Sequence, residues 1–130
     1  MKILLDTSVI SAYYDSRQPE RMALTKDFWN ILKNHQIFIS EITIEEINQI
    51  GDKNLKKNYL KLIRFFNILE ITDGIKSLAQ LYLKNQIIPK EYMNDALLIA
   101  TASSNDLDIL VSWNFKHMVN LRVESKINAV

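Results

Sequence analysis

The stretch Ile3-Leu4-Leu5-Asp6-Thr7-Ser8 decides how the rest of the chain is read. A continuous apolar run stopped by turn-forming residues is the pattern of a strand buried on both faces, as in parallel sheets. Helices cover both faces of such sheets, and the functional crevice opens outside the carboxyl ends of the strands. Asp6 stands at that end. It is either a helix N-cap, a position for which Asp, Thr and Ser are all favoured, or a carboxylate with chemistry to perform. Thr7 and Ser8 can cap in its place, so the choice turns on whether other acids reach equivalent positions.

Working outward, residues 37–39, 68–71 and 109–111 repeat the short, β-branched apolar run. Helical patterns separate them: residues 9–14, 21–33, 43–50 with Gly51 as a C′ residue, 55–66, 73–85 with Asp73 as cap, and 92–104. Strands alternating with helices, without internal repeats or linkers, predict one α/β domain over 1–130, a three-layer α/β/α sandwich around a mainly parallel sheet. Residues 3–5 are expected to be its central strand, and residues 121–123 an edge strand. Hydrophobic residues make up 48% of the chain and only two glycines and two prolines interrupt it, a balance that disfavours disorder.

Composition narrows the chemistry. Without cysteine there is neither a disulfide framework nor a thiolate metal site. His35 and His117 are far apart and lack ligand spacing, so a metal would be held by oxygen, which favours Mg²⁺ or Mn²⁺ over zinc. A strand starting near residue 2 leaves no room for a signal peptide, and no apolar run is long enough to span a bilayer. The expected compartment is cytoplasmic, with no membrane partner. A net charge of +1 gives no global signal for nucleic acid, so any such partner must be argued from local patches.

Three more sites bear on Asp6. Thr43-Ile44-Glu45-Glu46 reads as a capping box, with Ile42 and Ile47 as its hydrophobic staple, which explains Glu46 without chemistry. Yet that helix follows the strand at 37–39, so it opens onto the same sheet edge as Asp6. Asp95 shares a helix face with Leu98, Ile99 and Ala102, where a carboxylate is costly unless paired or metal-bound. Ser112-Trp113-Asn114 follows the last strand and brings further oxygens to that edge. Clustered carboxylates raise each other's pKa unless a cation neutralises them. A carboxylate-held divalent ion polarises a phosphodiester and activates a water for in-line attack.

These motifs resemble those of the PIN-domain nuclease family, in order and over nearly the whole chain. Leu4-Leu5-Asp6-Thr7-Ser8-Val9-Ile10 is similar to the family's opening strand, whose aspartate is a metal ligand. The register of Ile42-Thr43-Ile44-Glu45-Glu46 selects Glu46 as the catalytic glutamate. Asn94-Asp95-Ala96-Leu97-Leu98-Ile99-Ala100 resembles the third motif, with Asp95 as another metal-binding acid. Leu110-Val111-Ser112-Trp113-Asn114 resembles the fourth, where many members carry Thr-x-Asp; Asn114 departs from it and puts a second metal in doubt. The resemblance implies a Mg²⁺- or Mn²⁺-dependent endoribonuclease with Asp6, Glu46 and Asp95 at its site and Thr7, Ser112 and Asn114 in support.

Small members of this family are often the toxin half of toxin–antitoxin pairs, which implies RNA as substrate and a cognate antitoxin as partner; a homodimer is left open. Lys53, Lys57, Lys61 and Arg64 form a basic face opposite the stripe Leu55, Tyr59, Leu62, Phe66, either merely solvated or steering RNA. Trp113 and Phe115 read as core packing, with base stacking the alternative. A receiver-like domain would want an acidic pair at the first strand, and a phosphatase of the Asp-x-Asp type fails because Ser8 takes the second position. The rival that stands is a catalytically weak PIN-like domain that binds RNA or protein.

Overall fold

A computed structural model describes residues 1–85 and 92–114. The opening apolar run forms β1 (Lys2–Leu5), an interior strand of a four-stranded, all-parallel sheet in the order β3-β2-β1-β4. Its neighbours are β2 (Gln36–Ser40) and β4 (Ile109–Val111), and β3 (Asn67–Leu69) lies beyond β2. Ile3 faces Ile37 on one side and Ile109 on the other. Leu4 and Leu5 are fully buried, which is why this strand carries no polar alternation.

The helices sort by the pleat. Successive strand residues point to opposite faces, so Ile3, Leu5, Ile37 and Ile39 join one core with Val9, Ile10, Leu32, Ile47, Tyr59 and Ile63. That layer holds α1 (Thr7–Tyr13), α2 (Pro19–Leu32), α3 (Glu41–Asn48) and α4 (Lys53–Leu62). The opposite layer pairs α5 (Asp73–Lys84) with α6 (Met93–Ser104), whose core takes in Leu110 of β4. The three-layer sandwich predicted from the sequence is therefore the fold. Right-handed crossovers explain the split. The chain steps one way from β1 to β3, then reverses to place β4 on the far side of β1, so the last helices cover the other face. The reversal falls between β1 and β4, the switch point at which α/β sheets bind ligands.

Local boundaries differ from expectation in instructive places. The predicted helix at 43–50 begins earlier, at Glu41, because Ser40 is the N-cap and its hydroxyl accepts the Ile42 N–H at 3.1 Å. Gly51 is no C′ residue: Gln49 closes α3, and no described glycine has a positive φ. Thr72, not Asp73, caps α5. The expected edge strand at 121–123 lies outside the described residues. Among those residues no helix is long and apolar enough to cross a membrane.

The turn into β4 depends on one left-handed residue. α6 closes with the Leu107 N–H on the Ala102 carbonyl at 3.0 Å and the Asp106 N–H on the Ser103 carbonyl, a Schellman motif that puts Asp106 at φ 53°. Asp108 then locks β4 to β1, its backbone N–H reaching the Lys2 carbonyl while its carboxylate accepts the Lys2 N–H. A Cβ in the left-handed region costs about 1 kcal/mol, partly offset by the greater unfolded-state freedom of glycine. Asp106→Gly is expected to stabilise the protein by about 0.5 kcal/mol, read as a rise in melting temperature of about 2 °C. An unchanged or lower melting temperature would show that the aspartate side chain itself holds the turn.

Candidate active site

Where β1 ends, Asp6 caps a helix with one carboxylate oxygen and anchors a hydrogen-bond cluster with the other. It is the N-cap of α1, with Oδ1 accepting the Thr7 N–H at 2.8 Å, and its own N–H reaches the Val111 carbonyl at 3.0 Å. Its other oxygen, Oδ2, accepts hydrogen bonds from the Ser8 hydroxyl at 2.8 Å, the Ser112 hydroxyl at 2.8 Å and the Asn114 side-chain amide at 3.2 Å. A carboxylate only accepts, so Asn114 must present its nitrogen. Asn114 thus acts as a neutral donor that fixes Asp6 across the switch point.

The two serines carry this clamp further. The Ser8 hydroxyl accepts the Trp113 N–H at 3.0 Å, and the Ser112 hydroxyl accepts the Asn114 N–H at 3.0 Å. Trp113 packs against the core of the four-helix layer, donates its indole N–H to Thr25 at 2.9 Å, and lies 5.0 Å beneath the Arg21 guanidinium. Core packing, not base stacking, is its place. Phe115 lies outside the described residues.

Glu46 does not form the expected capping box. Because α3 starts at Glu41, Glu46 sits in the second turn, beyond N3, and Thr43 is no cap but a buried residue whose hydroxyl meets that of Thr7 at 2.9 Å. The structural explanation for Glu46 is removed with it. Glu46 is exposed as a residue, yet its carboxyl turns inward: burial pushes its pKa above the ordinary value, the Asp6 charge adds to the rise, and a hydrogen bond with Thr7 opposes it. Asp95, in the first turn of α6, is half-buried while its neighbours Ala96, Ile99 and Ala100 are buried.

Asp6, Thr7, Glu46 and Asp95 line one cavity of about 30 Å³, together with Ser40, Thr43 and Asn94. That is room for an ion or a water and little more. The three acids come from the junction of β1 and α1, from α3 and from α6, on both layers of the fold. Among the described residues no three His, Cys, Asp or Glu side chains are drawn into a closed metal-holding set. The donors nevertheless suit a hard cation, because Mg²⁺ is usually bound by one or two carboxylates and keeps several waters, and every polar atom here is oxygen or amide. Ser112 and Asn114 reach the site through Asp6. Ser8 and Thr43 were read from the sequence as helix caps, not as site residues; Ser8, two residues after Asp6, is at the spacing from which a hydroxyl reaches back to a carboxylate.

The sequence matches the family model described as the PIN domain over residues 3–115. The chain belongs to the PIN-domain family. No curated protein matches it in sequence. Solved PIN-like structures align over nearly its full length. One is the VapBC2 complex of Rickettsia felis bound to a promoter DNA fragment, with TM-score 0.67, 20% identity, 91% of this chain and 92% of that one. A second is VapBC-1 of nontypeable Haemophilus influenzae, with TM-score 0.65, 21% identity and coverage of 94% and 93%. A third is VapC20 of Mycobacterium tuberculosis, described as a Sarcin-Ricin loop cleaving toxin, with TM-score 0.63, 14% identity and coverage of 89% and 94%. At such identities the likeness shows the fold of this PIN domain.

Proposed function

We propose that this PIN domain is a Mg²⁺- or Mn²⁺-dependent endoribonuclease, working as the toxin of a toxin–antitoxin pair and restrained by a cognate antitoxin. The observation that carries the reading is the meeting of Asp6, Glu46 and Asp95, from three separate elements, on one ion-sized cavity at the carboxyl edge of the sheet. The toxin role draws support from the VapBC character of the structural relatives, and RNA as substrate from VapC20, a Sarcin-Ricin loop cleaving toxin.

In this reading Asp6 and Asp95 hold the ion. A bound divalent cation supplies charge stabilisation to the phosphodiester and lowers the pKa of an attacking water. Glu46 would orient the attacking water and accept its proton, a task suited to a carboxyl whose pKa burial and the Asp6 charge have raised. Ser8, Ser112 and Asn114 engage Oδ2 of Asp6 and the Thr7 N–H engages Oδ1, so the carboxylate would meet an ion already oriented. Asn114 spends its amide on Asp6 and adds no charge, so one ion per chain is expected.

The test is RNA cleavage by the purified protein with Mg²⁺ or Mn²⁺, with EDTA, and after Mn²⁺ is restored. Cleavage should vanish with chelator and return with Mn²⁺, and calorimetric titration should give one Mn²⁺ per chain. Cleavage that persists in EDTA would overturn the mechanism. Tight RNA binding with no cleavage under any ion would favour the non-catalytic binding module.

A further inference from the structure

Charge is strongly segregated along this chain. Residues 53–66 contain five of its sixteen cations, Lys53, Lys56, Lys57, Lys61 and Arg64, and none of its fifteen acids, leaving eleven cations against fifteen acids elsewhere. A merely solvated surface usually intersperses both signs. The structure turns these charges into a stripe. Tyr59 points α4 into the core, buried and stacked on Tyr14 at 5.7 Å. At about 100° per residue, Lys53, Lys57 and Lys61 fall within about 60° of the direction opposite Tyr59, at steps of about 6 Å along the axis. All three are exposed, and the ion pair found among the described residues, Arg17–Asp15, does not involve them.

The stripe ends on an aromatic platform. Phe65 is 84% exposed, the highest value among the large hydrophobic side chains described, and the Arg64 guanidinium lies 4.6 Å from its ring centroid. It precedes β3 by two residues, so it sits at the amino-terminal edge of the sheet, away from the acids. α4 also packs on α1 and α3, whose first turns supply Thr7, Ile42 and Thr43 to the cavity. Spaced cations beside an exposed ring paired with arginine are the ingredients of a single-strand binding track, in which phosphates follow the charges and a base stacks on the ring.

We propose that the outer face of α4, continued by Arg64 and Phe65, is an exosite that holds single-stranded RNA outside the catalytic cavity. This rests on the nuclease reading for the choice of RNA. It also answers an electrostatic difficulty, since Asp6, Glu46 and Asp95 alone repel phosphate and a separate cationic surface must retain the strand.

The test measures binding, not cleavage. Anisotropy of a short labelled single-stranded RNA is followed against NaCl, without divalent ion, in full-length Asp6→Asn protein and in the same protein carrying K53Q/K57Q/K61Q. Each lost phosphate contact removes about 0.7 from the log–log salt slope, so the triple variant should lose about 2 and bind on the order of tenfold more weakly at ~0.15 M salt. K53R/K57R/K61R should keep both slope and affinity, and F65A should weaken binding by about tenfold with the slope kept. Equal melting temperatures would confirm that these exposed positions leave the fold alone.

A Gln variant with unchanged affinity and slope overturns the proposal, as does a starting protein that does not bind RNA at all. RNA binding unchanged while antitoxin capture is lost would assign the stripe to a protein partner and overturn it too. The nuclease reading fails separately: a wild type that binds RNA through the stripe but never cleaves it defeats that reading and leaves the exosite standing.

Discussion

Asp6→Asn is expected, on the proposed metal-dependent mechanism, to cut RNA cleavage by at least about a hundredfold while the protein stays folded, since several kcal/mol of charge stabilisation would depend on how an ion is held. The substitution removes one negative charge and turns one oxygen into a donor. The remaining oxygen can still accept the Thr7 N–H and cap α1, while the Ser8 and Ser112 hydroxyls can rotate to accept and the Asn114 amide can flip. Carboxylate repulsion is relieved, but the charge-assisted hydrogen bonds on Oδ2 are weakened, and the two changes oppose each other. The melting temperature should therefore shift by only about 2–3 °C. With the Asp6 charge gone, the pKa of Glu46 should fall towards its ordinary value. The readouts are cleavage in Mn²⁺, Mn²⁺ titration and thermal melting. Cleavage within about tenfold of wild type in a variant that still binds Mn²⁺ would remove Asp6 from the centre of the mechanism.

The largest loss of stability is expected from Leu5→Ala. Leu5 is fully buried, pairs with Val111 and packs in the core that joins β1 and β2 to four helices. A cavity left by a leucine there costs about 3 kcal/mol, which for a chain of this size lowers the melting temperature by about 10 °C. Ile68→Ala on the edge strand, where Ile68 is more than half exposed, should cost only about 0.5 kcal/mol. Urea unfolding of both variants checks the contrast. Equal losses would mean that β1 does not occupy the interior of the sheet.

Much of this architecture was legible in local pattern. The apolar runs at residues 3–5, 37–39 and 109–111 are strands in the structure, because a short β-branched apolar run between turn residues needs only neighbouring residues to declare itself. The central position of β1 follows from the same absence of polar alternation. Asp6 was marked by its place at the end of a buried strand and Asp95 by the apolar helix face it shares, and both line the same cavity. Capping was harder to read. Ser40 and Thr43 are both competent caps, and the choice of Ser40 moved the start of α3 to Glu41 and carried Glu46 away from N3.

The chain's own pattern of apolar runs and turn residues therefore determined the fold class, the strand order of appearance and the sheet edge where the acids gather. The pairing of Asp6 with Ser112 and Asn114, 106 and 108 residues away, was decided only by the β1–β4 register, as was the donor role of Asn114. The solvent face of α4 was legible, since Lys53, Lys57 and Lys61 lie opposite the stripe that ends at Phe66, but the end of the helix at Leu62 and the Arg64 guanidinium set against the exposed Phe65 ring were decided in three dimensions. The physical reason is common to both. Local propensity acts over one turn or one strand, whereas a hydrogen bond across the sheet or the point at which a helix stops depends on how whole layers pack, and layer packing is settled by contacts far apart in the chain.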